Sequence, residues 1–259
     1  MIITPDFILL NYPKTGTTFA REIVSKAYAG RQSVANKLLT NLGLKAPDVR
    51  DLMLPKLRLN GALDQGYKDQ HGKVRQIPDE FADRDVVSIF RDPVSRYLSM
   101  YHYRRWLGFA AFKGPRVKEA YPNFPDLSFD ECLSWLFRYE APKFLPIETK
   151  NKYGYQTLTF IHFYFRDPAA VLRSYEAGRD DYIREFESIR FLQQESLNAD
   201  LKKLLCEYGF TECELEFISK APRRNESKNS RTKTEISESA GQMIMEYDRF
   251  LYSLFGLVS

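Results

Sequence analysis

Cysteine and histidine are scarce in this 259-residue chain, with three of each. Cys132, Cys206 and Cys213 form neither an even set nor a C-x-x-C pair. The sequence therefore predicts no disulfide framework and no bound metal, and a reducing compartment is the simpler expectation. The small number of histidines also limits a catalytic imidazole to three positions.

Long apolar runs are missing as well. No window approaches the roughly 18 apolar residues that a transmembrane helix needs, and no charged leader precedes the first predicted strand. If the chain is the whole natural product, we expect a soluble cytoplasmic protein without a membrane span. A lumenal domain trimmed of its membrane anchor would show the same sequence features.

The chain has no large excess of charge. Its 38 basic and 34 acidic residues are interspersed and leave a net charge of +4, which suits anionic ligands but does not indicate a nucleic-acid partner. Hydrophobic residues make up 44% of the chain, enough for a sizeable core. Because there is no internal repeat or low-complexity linker, we predict one domain, residues 1–259, although the length also allows two small ones. The oligomeric state stays open.

One segment combines a predicted strand, a loop and the start of a helix. It reads Phe7-Ile-Leu-Leu-Asn-Tyr-Pro-Lys-Thr-Gly-Thr-Thr18, and residues 19–28 continue as a predicted helix. The first N–H groups of a helix have no internal partner and its dipole is positive there, so this loop suits a phosphate-like group. The candidate anion-binding residues are Pro13, Lys14, Thr15, Gly16, Thr17 and Thr18.

The order of residues in the loop distinguishes two chemistries. A nucleotide triphosphatase loop has its lysine after the last glycine, beside a Mg²⁺-binding hydroxyl, whereas Lys14 precedes Gly16. The order Pro-Lys-Thr-Gly-Thr-Thr resembles the 5′-phosphosulfate loop of sulfotransferases that use 3′-phosphoadenosine 5′-phosphosulfate (PAPS). The alternative is an ordinary strand–turn–helix with a surface lysine.

A second segment strengthens the resemblance. The β-branched run at residues 86–90 predicts a buried parallel strand, and Arg91 follows at its carboxyl end, where ligands bind in open α/β sheets. Asp92 and Pro93 are good residues to open a helix, and Ser99 follows about two turns later. A guanidinium and a hydroxyl can share a phosphate monoester, and this arrangement resembles the 3′-phosphate site of the same family. Otherwise Arg91 caps a helix and Ser99 is solvated.

The resemblance implies a fold, a cofactor and an acceptor class. The fold would be α/β, a three-layer P-loop-NTPase-like architecture with a central, mainly parallel sheet flanked by helices. The donor would be PAPS, the product 3′,5′-adenosine bisphosphate, and the acceptor a hydroxyl on a carbohydrate or other small molecule. Residues 245–256 are similar to the C-terminal helix of the carbohydrate branch, and the layout is closest to a soluble, bacterial-type member.

A basic stretch covers residues 220–233. Such a charge run is usually a solvated face. In the family, however, a basic loop before the last helix closes over the cofactor and contacts its 3′-phosphate, and the Asn-x-Ser of that loop is similar to residues 225–227. The resemblance therefore adds four candidate cofactor-binding residues, with the arginines unranked: Arg223, Arg224, Asn225 and Ser227.

Sulfuryl transfer needs one group that neutralises the charge on the leaving oxygen and another that removes the proton from the attacking hydroxyl. By analogy with phosphoryl transfer, positioning and electrostatics do most of the work, without a required metal. Lys14 is the candidate for neutralising the bridging oxygen. His71, in a loop before the second predicted strand, is the candidate general base, at a place similar to that of the catalytic histidine of cytosolic sulfotransferases. The alternative is a surface turn histidine. We expect His102 to be structural and His162 to lie in the core.

Further elements are predicted from periodicity and turn signals. We expect helices at residues 91–107, 129–139, 197–208 and 235–255, a strand at 156–165 and a turn-rich stretch at 64–84. Residues 108–155 are expected to form a substrate-shaping helical insertion. We expect the aromatic side chains at residues 106–124 either to pack in the core or to stack on the acceptor molecule.

Two other functions fit parts of the pattern. A P-loop nucleotide kinase or nucleotide-binding protein would share the strand–loop–helix cradle, but neither Walker order nor an evident Mg²⁺-binding aspartate at a strand end is found. A catalytically inactive protein with the sulfotransferase fold is the other candidate, and the joint presence of Lys14, Arg91 and Ser99 argues against it.

Overall fold

The computed structural model describes residues 1–44, 47–57, 62–104, 107, 119–140, 152–221 and 234–257. The chain divides into two compact units, each built from two separate segments. Unit 1 comprises residues 1–91 and 163–224, and unit 2 comprises residues 92–162 and 225–259. The prediction of a single domain stays a prediction.

All strands of the described residues lie in unit 1. They are β1 (Ile2–Ile3), β2 (Phe7–Leu9), β3 (Arg50–Asp51), β4 (Leu54–Leu57), β5 (Leu63–Asp69), β6 (Asp85–Phe90) and β7 (Ile189–Gln193). One sheet has the order β3-β1-β2-β6-β7, and β4 and β5 form a separate hairpin. The pairs β2–β6 and β6–β7 are parallel, whereas β1 is antiparallel to β2 and β3.

The sheet is therefore mixed, since β2, β6 and β7 form a parallel half and β3, β1 and β2 form an antiparallel edge. The strands at residues 7–10 and 86–90 agree with the prediction, and the fold is α/β. The antiparallel edge has a simple cause, because only residues 4–6 join β1 to β2. A parallel pair needs a crossover of a dozen residues or more, so this short connection can form only an antiparallel pair.

The described helices occur in both units. They are α1 (Thr17–Arg31), α2 (Val34–Asn41), α3 (Pro93–His102), α4 (Phe129–Trp135), α5 (Tyr155–Tyr164), α6 (Pro168–Glu176), α7 (Ile183–Glu187), α8 (Leu197–Glu207), α9 (Glu216–Ser219), α10 (Glu238–Tyr247) and α11 (Arg249–Leu254). Short 3₁₀ turns occur at Val74–Gln76 and Asp79–Phe81, and a π-helical turn at Leu136–Glu140. Within the described ranges, no helix has the length and apolar character to cross a membrane.

The core of unit 1 is shared by the sheet, α1 and α8. Helix α1 buries Phe19, Ala20 and Ile23, which recur at three- and four-residue steps and so lie on one face. Leu201 and Leu205 of α8 belong to the same buried cluster. This packing fixes the start of α1 against the carboxyl ends of the parallel strands.

Two predicted elements were wrong. The predicted strand at 156–165 is helix α5, and a strand, β5, occupies part of the turn-rich stretch predicted at 64–84. Helix α5 is buried along almost its whole length, so its apolar residues show no clear period of 3.6. A continuous apolar run of this kind does not distinguish a buried strand from a buried helix.

Helix ends also differ from the prediction. Helix α3 stops at His102, and Arg104 takes a positive φ of 50°. The helix predicted at 129–139 is α4 followed by the π-helical turn, and the one predicted at 197–208 is confirmed as α8, with Gly209 in the left-handed region. The predicted final helix is divided into α10 and α11 at Asp248.

Asp248 interrupts that helix because its side chain lies inside unit 2. The carboxylate accepts a hydrogen bond from the Tyr97 hydroxyl at 2.7 Å and one from the Thr157 backbone N–H at 2.7 Å. Gly154 passes so close that a Cβ there would lie 2.4 Å from Oδ1 of Asp248. Burial raises the pKa of the Asp248 carboxyl to about 6.

Candidate active site

The loop between β2 and α1, residues 10–16, is called the anion loop below. It begins where the Leu10 N–H donates to the Val87 carbonyl at 2.9 Å, continuing the β2–β6 ladder. Lys14 and Gly16 have φ angles of +70° and +94°. Left-handed residues in a tight loop turn successive backbone N–H groups toward one side, and this arrangement binds anions.

Gly16 is required at the start of α1 for two reasons. Its φ of +94° is in the region that favours glycine. In addition, a Cβ at this position would lie 3.0 Å from Cδ2 of Leu197. The first turn of α1 contains no acidic side chain to offset the helix dipole, so the positive end of the helix is available to a bound anion.

The threonines of the loop have different surroundings. The hydroxyls of Thr15 and Thr17 both donate to the Tyr12 carbonyl, at 2.9 and 3.3 Å, and both residues are buried. Thr18 is exposed. In this structure Thr15 and Thr17 therefore brace the anion loop from within. The anion-binding role predicted for these threonines stays a prediction.

The side chain of Arg91 contacts the anion loop directly. It follows β6, and its Nη1 donates to the Lys14 carbonyl at 3.2 Å. The Arg91 guanidinium therefore lies against the anion loop, as expected if both serve one nucleotide. The predicted helix opening is confirmed within unit 2, where Asp92 accepts from the Ser95 N–H at 2.9 Å and Pro93 begins α3. Ser99 is half-buried on α3, and its sharing of a phosphate with Arg91 stays a prediction.

His71 is oriented by the strand that carries the anion loop. Its Nδ1 lies 2.7 Å from the carbonyl oxygen of Asn11, and its backbone N–H donates to Oδ1 of Asp69 at 2.7 Å. A carbonyl oxygen only accepts, so Nδ1 must carry the hydrogen. In the neutral imidazole the basic nitrogen is then Nε2, the form that a general base requires.

The other two histidines are in different surroundings. His102 lies on α3, where burial lowers its pKa. His162 is buried on α5, so its predicted core position is confirmed, although it lies on a helix.

One residue at the site was missed by the sequence analysis. Gln194 follows β7, its N–H donates to the Phe90 carbonyl at 2.9 Å, and its Cγ lies 3.7 Å from where a Cβ of Gly16 would be. The half-buried Gln194 side chain therefore lies at the start of α1, next to the strand end that leads to Arg91. Its position after the third parallel strand was the signal that could have identified it, because ligands bind at such ends.

Several predicted residues lie outside the described ranges. They are the four candidates of the basic stretch, Arg223, Arg224, Asn225 and Ser227, and three aromatics of the predicted acceptor region, Trp106, Phe109 and Phe112. Of the other aromatics in that region, Tyr121 is buried and Phe124 is half-buried.

A family model for the sulfotransferase domain matches residues 4–145. The matched span is more than half of the 259-residue chain and includes the anion loop, His71, Arg91 and Ser99. Comparisons with curated proteins and with solved structures find no match. The match covers the strand–loop–helix unit at the carboxyl ends of the parallel strands β2 and β6, and the chain belongs to the sulfotransferase family.

Proposed function

We propose that this protein is an enzyme that transfers a sulfuryl group from PAPS to a hydroxyl of a carbohydrate or other small acceptor. The observation that carries the proposal is the anion loop, in which Lys14 and Gly16 are both left-handed and Arg91 bonds the Lys14 carbonyl. The loop, the lysine and the arginine together fit a ligand with more than one phosphate-like group.

On the donor side, positive groups of the protein would already be in position around PAPS before the reaction starts. PAPS, when bound, supplies a sulfuryl group on a good leaving group. Lys14 would place its ammonium at the bridging oxygen, where negative charge grows as the sulfur–oxygen bond breaks. The first N–H groups of α1 would hold the 5′-phosphosulfate in line with the attacking oxygen, and the Arg91 guanidinium would bind the 3′-phosphate.

His71 would act on the acceptor side. Because the Asn11 carbonyl holds the hydrogen on Nδ1, Nε2 can take the proton of the acceptor hydroxyl. The acceptor oxygen forms a bond to sulfur, the bond from sulfur to the bridging oxygen breaks, and 3′,5′-adenosine bisphosphate leaves with that electron pair. The proton ends on Nε2 of His71.

Other residues would contribute to cofactor binding. The resemblance assigns the 3′-phosphate to Arg91 and Ser99 and to the stretch containing Arg223, Arg224, Asn225 and Ser227. The geometry of unit 1 adds Gln194, whose Cγ lies 3.7 Å from the place of a Cβ at Gly16. An amide side chain at this place can bond to a phosphate, the ribose or the base.

Thermal stabilisation tests the proposal directly. We expect 3′,5′-adenosine bisphosphate to raise Tm, because a ligand that binds only the folded state stabilises it by mass action. Mg·ATP should give a much smaller shift. Transfer of label from [³⁵S]PAPS to a panel of glycans and phenols then tests catalysis. A larger shift with Mg·ATP would support a nucleotide kinase instead, and binding without transfer would indicate an inactive protein.

A further inference from the structure

The hairpin of β4 and β5 leads directly to His71. Across the hairpin Leu54 faces Asp69 and Pro55 faces Lys68, but Lys56 faces Asp64. Residues 65–67 therefore have no partner on β4 and form a bulge. Bulges of this kind frequently occur beside active sites, where they change the direction of a side chain. We call the hairpin and the segment that follows it, residues 54–57 and 62–73, the acceptor arm.

The bulge exposes an aromatic ring with a cation beside it. The Tyr67 side chain is 55% exposed, although large apolar groups are usually covered. Nζ of Lys56, also an exposed residue, lies 5.6 Å from the centre of the Tyr67 ring. An exposed ring of this kind can stack on the apolar face of a sugar, and a lysine next to it can bind an acidic substituent.

A second lysine lies beneath this surface. Lys73 is only 9% exposed, and its Nζ donates to the Leu57 carbonyl at 3.4 Å. Among the described residues no carboxylate lies within ion-pair distance of the Lys73 ammonium. Burial of this kind is costly for an ammonium, so an anion nearby would stabilise it.

The local charge balance is positive. Burial lowers the pKa of the Lys73 ammonium most, the charge of Asp69 raises it, and the charges of Arg75 and Lys56 lower it. The other acidic group of the acceptor arm is Asp64, opposite Lys56. Three lysines of the acceptor arm, Lys56, Lys68 and Lys73, therefore outnumber its two carboxylates.

This surface is close to the candidate base. A chain of n residues spans at most about 3.6 Å per residue, so the Cα atoms of Lys73 and Tyr67 lie within about 7 Å and 14 Å of that of His71. An oligosaccharide that contacts Tyr67 is therefore long enough to reach His71 as well.

We propose that the acceptor arm binds an acidic saccharide, with a sugar ring on Tyr67 and a carboxylate or sulfate group directed to Lys56 in the field of Lys73. The inference rests on the proposed function, because it names the acceptor of that reaction. It places acceptor recognition on a bulged hairpin of unit 1.

Direct binding tests the inference without any turnover. We would titrate the protein, saturated with 3′,5′-adenosine bisphosphate, with three matched oligosaccharides: one carrying glucuronic acid, one carrying a sulfate ester, and a neutral one carrying glucose. We expect at least one acidic oligosaccharide to bind about 5-fold or more tightly than the neutral one, as one exposed ion pair allows. Comparison of the two acidic probes identifies the anionic group.

Three variants assign the binding to the arm. Lys56→Gln should weaken the affinity for the acidic oligosaccharide by about 5-fold and leave the affinity for the neutral one unchanged. Tyr67→Ala should weaken both. Lys203→Gln, at an exposed lysine of α8, is the charge-matched control and should change neither. All three positions are exposed, so folding should be preserved.

The outcomes separate this inference from the proposed function. Equal affinity for acidic and neutral probes, or an effect of Lys56→Gln no larger than that of Lys203→Gln, overturns the inference even if the protein transfers sulfate to other acceptors. Acidic binding that depends on Lys56, with no stabilisation by 3′,5′-adenosine bisphosphate and no sulfate transfer, overturns the proposed function. In that case the arm would be a saccharide-binding surface and not an acceptor site.

Discussion

Nδ1 of His71 lies 2.7 Å from the carbonyl oxygen of Asn11, a residue three positions before Lys14. The candidate base is therefore fixed to the strand end that begins the anion loop, and a shift of this strand would move both groups together. The contact also sets the tautomer, since the hydrogen must be on Nδ1. Substitutions at His71 and Lys14 should accordingly separate the acceptor side of the reaction from the donor side.

Replacing His71 should remove the base and leave the cofactor site. His71→Ala should lower kcat by about 10²-fold or more, the usual effect of losing a general base. The affinity for 3′,5′-adenosine bisphosphate, measured by calorimetric titration, should stay within about twofold of the wild type. Turnover near the wild-type value in a folded His71→Ala protein would assign the base elsewhere.

Lys14→Ala should impair both nucleotide binding and sulfuryl transfer, because the charge of Lys14 takes part in each. Loss of a positive charge at the phosphates weakens nucleotide binding, and its loss at the leaving oxygen slows transfer. We expect a drop of about tenfold or more in affinity and a larger drop in kcat/KM. Lys203→Ala, at an exposed lysine on α8, is the matched control. A variant with normal affinity and slow transfer would confine the role of Lys14 to the leaving group.

Gly16→Ala should destabilise the protein for two separable reasons. The new side chain would be strained at a φ of +94° and would crowd Leu197 at 3.0 Å. Gly43 has a φ of +71°, and a Cβ added there would have no atom within 4 Å, so Gly43→Ala reports the backbone strain alone. Denaturant unfolding should show that Gly16→Ala costs about 1 kcal/mol more than Gly43→Ala. Equal costs would mean that Leu197 moves aside freely.

Asp248 should make the stability of the protein depend on pH. Burial raises the pKa of its carboxyl from 3.8 to about 6 in the folded state. The folded state therefore holds this proton more tightly, and the resulting stability is complete below about pH 4 and is lost as the pH rises through about 6. Tm measured between pH 4 and 7 should fall less steeply with pH in Asp248→Asn than in the wild type. Parallel curves would show that the carboxyl titrates normally.

The local sequence predicted the anion loop because each of its features has a local cause. Gly16 supplies the left-handed start of α1, and the Asp92-Pro93 pair opens α3 as expected. The strands that flank these turns are short apolar runs with clear boundaries. For such segments, spacing and turn chemistry are sufficient.

The parts that were missed depend on tertiary surroundings. Helix α5 is buried on all sides, so no period distinguished it from a strand. The break at Asp248 depends on Tyr97, more than a hundred residues away in sequence, and Gln194 lies near Gly16 only because β7 lies beside β6. Contacts of this range leave no pattern within a short window of sequence.

The close passage of Gly154 and Asp248 has a consequence for how the family can diverge. Any side chain at position 154 would overlap the carboxylate, which lies within 2.6 Å of the place of a Cβ. A side chain at position 154 therefore requires a smaller residue at 248, whereas Asp248 can be replaced by an isosteric or smaller residue while Gly154 is kept. Among homologues a residue other than glycine at 154 should occur only with a smaller residue at 248, and a substitution of Gly154 alone should fail unless position 248 is made smaller as well.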